Sequence, residues 1–156
     1  MSNSGFTKID ILIFVLAVII ACIMDGAVIY YLNNKTADIQ VLTEVSQIRS
    51  GLDVYLQANN FYPPFETPTQ LNDSYIGTEK LCLEGFKRFS EKCKRLILDK
   101  IPNIFRTEGI YYTYQSLNNN QDYKIEFVLK TNFKNQGLTK GKNCATNSQI
   151  FSQPCF

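Results

Sequence analysis

The chain contains no histidine and no tryptophan among its 156 residues. Without histidine, the commonest general base and the commonest metal ligand are gone. Mixed cysteine–histidine zinc sites go with it, and no two cysteines stand at the spacing of a zinc knuckle. A strong charge of either sign is also missing. The net charge of +2 gives little reason to expect a polyanionic partner. Proline is absent from Thr7 through Tyr62, so nothing there forbids one long helix. Charged residues make up only 19% and hydrophobic ones 45%, which excludes both a disordered chain and a multi-span membrane protein. The length suits one domain, or one domain with an anchor.

What is present starts with grease. Every residue from Ile11 to Met24 is apolar, and after Asp25 and Gly26 the run resumes as AVIYYL. Residues 11 to 32 would span roughly 33 Å as a helix, enough to cross a bilayer. Tyr30 and Tyr31 stand where an interfacial aromatic belt is expected. No small-residue cleavage site follows the run, so the segment is expected to stay on the chain. Lys8 and Lys35 flank it on opposite sides, and charge alone does not decide its orientation. Cys22 reads as a small side chain within the apolar segment.

The residues just before that run carry a resemblance. Gly5-Phe6-Thr7-Lys8-Ile9-Asp10, followed directly by the apolar stretch, resembles the class III signal of type IV pilins and pseudopilins. The resemblance implies that prepilin peptidase removes the leader 1–5 between Gly5 and Phe6, and that Phe6 becomes an N-methylated terminus. The family's fifth mature residue is nearly always glutamate, and Asp10 holds that position. A carboxylate in an apolar filament core is costly unless paired. In the family it meets the terminal amine of a neighbouring subunit and sets axial register, which makes Phe6 and Asp10 the expected assembly pair. Pilin helices commonly melt locally on assembly, and Asp25 with Gly26 marks the candidate spot here. Alternatively Asp25 faces a partner helix or snorkels to the interface.

Beyond Asn33 the helix is expected to turn amphipathic. Val41, Leu42, Val45, Ile48, Leu52, Tyr55 and Leu56 recur at three- and four-residue steps. Lys35, Asp38, Glu44, Arg49 and Asp53 are expected on the opposite, solvated side. One helix from Thr7 to about Asn59 follows, with Gly26 and Gly51 as weak points. Asn59-Asn60 favour its end and Pro63-Pro64 prevent its return. Many pilins end this helix similarly, with a tyrosine-bearing turn, an asparagine or aspartate, an aromatic and a proline.

The remainder, 61–156, is expected to be a head. Residues 65–79 are polar and read as an exposed loop. Leu96, Ile97, Leu98 and Ile101 suggest a short helix or turn ending before Pro102. Residues 110–117 and 123–130 read as a β-hairpin about the turn 118–122, with Tyr123, Ile125, Phe127 and Leu129 pointing inward. The tail from Gly137 onward is short of core residues. Cys82, Cys93, Cys144 and Cys155 allow three pairings. Two local bridges in an exported domain, Cys82–Cys93 and Cys144–Cys155, are the expectation, and buried free thiols in a reducing compartment the alternative. The fold class is therefore α+β, a long N-terminal helix (6–32 for the membrane and polymerisation, 33–60 amphipathic) packed on a small antiparallel sheet.

The resemblance implies a structural subunit of a type IV pilus-like filament. Its partners would be itself, as a helical homopolymer, prepilin peptidase and the inner-membrane assembly machinery. It would sit in a bacterial inner membrane before assembly and in an extracellular fibre afterwards. A second expectation is a minor pilin or pseudopilin for secretion or DNA uptake, with Lys87, Arg88, Lys92, Lys94 and Arg95 of FKRFSEKCKR binding phosphates and the interleaved phenylalanines stacking on bases. Lys130, Lys134, Lys140 and Lys142 add later positive charge. The bland reading is a solvated face. A third is a membrane-anchored enzyme, for which Glu79 and Glu84 are the nearest thing to an acid pair. No cofactor or metal is implied, since after Asp122 only Glu126 is acidic and no calcium cluster forms.

Overall fold

The computed structural model describes residues 8–102 and 111–156. Gly5 and Phe6 lie outside these residues, as does the side chain of Asp10. One helix, α1 (Lys8–Asn59), leads into an α+β architecture. The chain divides into two compact units, the first ending at Thr36 and the second running from Ala37 to Phe156.

In the second unit, Val41, Val45, Ile48, Leu52 and Tyr55 form the buried stripe of the helix. They join one core with the inner face of a five-stranded antiparallel sheet. Its strands are β1 (Thr69–Gln70), β5 (Thr113–Leu117), β6 (Asp122–Leu129), β7 (Gly141–Thr146) and β8 (Ile150–Phe151), in that order. A smaller sheet orders β3 (Gly85–Lys87), β2 (Lys80–Cys82) and β4 (Leu96–Leu98). Each large apolar side chain fully buried in this core contributes about 1.5–3 kcal/mol.

The expected hairpin is β5–β6, with Tyr114 facing Ile125 and Ser116 facing Tyr123. Tyr123, Ile125, Phe127 and Leu129 are all buried on its inner face. The turn is made by Asn118, Asn119 and Asn120, all in the left-handed region (φ 51°, 55° and 63°). Asparagine tolerates that region better than other side chains do. The same turn receives the end of α1. Asn60 (φ 63°) stops the helix, its carbonyl accepts from Gln121 Nε2 at 3.1 Å, and Tyr62 donates its N–H to the Asn120 carbonyl at 2.8 Å.

Several expectations need correction. Leu96–Leu98 is a strand, because its backbone completes the edge left by β2. Residues 65–79 are only partly exposed: Thr69 and Gln70 pair with β5, while Leu71 and Thr78 are buried. The tail supplies β7 and β8, with Asn143, Cys144 and Ala145 buried. Gly51 is also a close-packing point. A Cβ there would lie 2.5 Å from Leu98 Cδ1 and 2.8 Å from its Cγ, so a larger residue has to push the Leu98 side chain aside. Asp38 and Glu44 are buried, not solvated.

Candidate functional site

In the first unit, taken by itself, the helix shows its apolar side chains on every side. Between Ile11 and Leu32 its large hydrophobic residues range from 45% exposed (Val18) to 73% (Tyr30). An uncovered apolar surface of this extent marks a site of association with membrane or protein. It is also the helix that is long and apolar enough to cross a membrane, near the N-terminus. Asp25 and Gly26 sit within it, Asp25 exposed, and the helix runs unbroken through both. Nothing lies within 4 Å of the position a Gly26 Cβ would take.

In the second unit two helix carboxylates reach into the core. The Asp38 carboxylate accepts the main-chain N–H of Lys130 at 2.8 Å and that of Thr131 at 2.7 Å. Glu44 accepts the Tyr112 hydroxyl at 2.7 Å and Gln40 Nε2 at 2.8 Å. Burial first, and then the hydrogen bond to Glu44, pushes the Tyr112 hydroxyl pKa far above its ordinary value. Tyr114, whose hydroxyl donates to the Pro63 carbonyl at 2.8 Å, is raised chiefly by burial as well. Tyr123 is raised by burial while the neighbouring Arg49 guanidinium opposes the rise. Neither the Tyr123 hydroxyl nor Arg49 Nε completes a hydrogen bond of good geometry. Sequence reasoning missed Asp38 and Glu44, although the signal was there. Asp38 lies three residues before Val41, and Glu44 four before Ile48, on the apolar stripe itself.

The basic loop is closed by the Cys82–Cys93 disulfide, with Cα atoms 5.6 Å apart. Its cations divide. Lys87 Nζ donates to the Lys92 carbonyl at 3.0 Å, and Arg88 donates to the Tyr75 carbonyl at 2.8 Å. Lys80 Nζ holds the Phe89 and Glu91 carbonyls. Lys92, Lys94 and Arg95 are exposed. Glu79 and Glu84 have separate partners in this loop. Glu79 accepts the Phe89 N–H at 3.0 Å and Glu84 the Lys94 N–H at 2.8 Å, so both brace this loop. The Lys94 N–H holds the Glu84 carboxyl below its usual pKa.

The other disulfide, Cys144–Cys155, has Cα atoms 5.2 Å apart and lies on the outer sheet face. There Glu126, opposite Cys144 in the ladder, accepts the Cys155 N–H at 3.1 Å and pairs with Lys142 Nζ at 2.7 Å. No family model, curated protein or solved structure matches the chain.

Proposed function

We propose that this chain is a pilin-like structural subunit, anchored in a membrane by its first helical unit and then polymerised through it into an extracellular filament. The observation that carries the reading is the helix surface from Ile11 to Leu32, apolar and exposed all round. Such a surface must be covered, first by lipid and then by like helices. The motif Gly5-Phe6, with Asp10 five residues into the mature chain, supplies the processing point and the assembly charge. Two local disulfides suit a head exported to an oxidising compartment.

Mass spectrometry of the native protein tests this directly. The expected mature form begins at N-methylated Phe6 and lacks residues 1–5. Asp10→Ala should abolish assembly while leaving membrane insertion intact. Retention of Met1 in cells that possess prepilin peptidase, or filaments unaffected by Asp10→Ala, overturns the reading. A DNA-uptake role is favoured only by exposed Lys92, Lys94 and Arg95. It requires the chain to bind DNA at low salt and release it at high salt.

A further inference from the structure

An open groove of about 770 Å³ runs along the second unit between α1 and β4. Its apolar lining comes from Ile39, Leu42 and Val54 of the helix, Leu96 and Leu98 of β4, and Phe133. Ile39, Val54 and Leu96 are 53%, 48% and 51% exposed, so the groove presents apolar surface of the kind that marks an association site. Between Ile39 and Val54 the helix wall carries Thr43, Ser46 and Ser50 at steps of three and four. Short hydroxyl side chains in that row let another backbone approach closely. The wall is roughly 22 Å long, room for about four helical turns.

The charge in the groove has one sign. Arg95 lines it, and its guanidinium makes no hydrogen bond or ion pair among the described residues. Lys92 and Lys94 stand exposed in the same loop. An occupant must therefore be apolar, helical in dimension and acidic. The chain carries such an element. Between Lys8 and Lys35 the only charged residues are Asp10 and Asp25, and Asp25 is exposed amid apolar neighbours. A carboxylate there is costly in any dry environment without a counter-charge.

We propose that the helix around Asp25 of one copy seats in the α1–β4 groove of a second copy, with the Asp25 carboxylate against the Arg95 guanidinium. This is recognition of a helix by a groove, with the ion pair setting its register. The inference rests on the filament reading and adds the receiving surface and the charge that selects it.

The test places a photo-crosslinking benzophenone amino acid at Gln47, on the groove wall, in the full chain as it assembles in cells. Irradiated filaments should give a two-copy adduct whose crosslinked peptide lies within residues 19–32. Arg95→Glu should lower its yield about tenfold or more, the loss of one charge-assisted contact, whereas Arg95→Lys should retain most of it. Arg95 is exposed, and near-ultraviolet circular dichroism of each purified variant reports whether its head has folded. Filaments whose adducts map to head peptides, to lipid or to nucleic acid overturn the inference and leave the filament reading standing. An adduct unchanged by Arg95→Glu overturns the ion pair and with it the proposal. If the unsubstituted chain forms no polymer at all, both fall.

Discussion

Asp38 receives both the main-chain N–H and the hydroxyl of Thr131, at 2.7 and 2.6 Å, from a residue 93 positions further along the chain. With the Lys130 N–H added, one carboxylate, 2% exposed, satisfies three donors where β6 ends. Hydrogen bonds to a charged group are about twice as strong as neutral ones, and buried donors left without partners carry the full desolvation cost. Asp38→Ala should destabilise the second unit by about 2–4 kcal/mol. Asp38→Asn, which keeps one acceptor, should cost less. Urea titration of the full chain in detergent, followed by near-ultraviolet circular dichroism, measures both. Equal stability of Asp38→Ala and the parent would show that these bonds are not needed.

Gly51 and Leu98 make a second long-range contact that sequence alone does not reveal. Gly51→Ala gains about 1 kcal/mol of helix propensity but forces Leu98 aside, and overpacking costs about 1–3 kcal/mol. The expected net result is destabilisation, with Leu98→Ala restoring part of it in the double variant. A thermal melt of the four proteins gives the coupling. Strict additivity would mean that β4 moves away without cost.

High pH should unfold the second unit. Tyr112, Tyr114 and Tyr123 have folded-state pKa values raised above the ordinary 10.0, mainly by burial. Below pH 10 both folded and unfolded forms are neutral and the full stability is present. As pH rises past 10, the unfolded chain loses these protons first. Each of the three tyrosines then lowers stability by about 1.4 kcal/mol per pH unit. Phenolate absorbance from the buried rings should therefore arrive together with loss of the fold. Phenolate appearing well before unfolding would contradict the burial.

Replacing Cys144 and Cys155 together by serine should cost about 2–3 kcal/mol, the chain-entropy contribution of closing a loop of this size. Hydrogen exchange should quicken at residues 150–156 and leave the β5–β6 hairpin unchanged, because only the Glu126 carboxylate on the residue 155 N–H and Lys124 Nζ on its carbonyl then hold that position. If exchange quickens throughout the sheet, the bridge supports the whole ladder.

The parts of this fold that show in the sequence are those whose signal repeats. The apolar run, the stripe from Val41 to Tyr55 and the alternation from Tyr123 to Leu129 each extend over enough turns or pleats to display a period. Three-residue β4 is too short to show one, and its strand geometry is imposed by Leu81 and Cys82 across the ladder. Asn143 disguises β7 as a surface segment. It is buried because its amide donates to the Thr139 and Gly141 carbonyls, at 2.9 and 2.8 Å, and so knits its own turn. Charge alone places Asp38 and Glu44 in solvent, although their position on the stripe points inward. Of the proposed assembly residues, Asp25 and Gly26 fall on the described helix, while Gly5, Phe6 and the Asp10 side chain lie outside the described residues.

Neither disulfide includes a helix residue, and each closes on a partner 11 positions away. Oxidation therefore ties two small rings into the chain without ever riveting α1 to the strands. A fully oxidised but denatured molecule keeps both rings and can still lay its rod back onto the sheet, since no knot stands in the way. Making or breaking either bridge therefore leaves the contact between the helix stripe and the strands held by packing and hydrogen bonds alone.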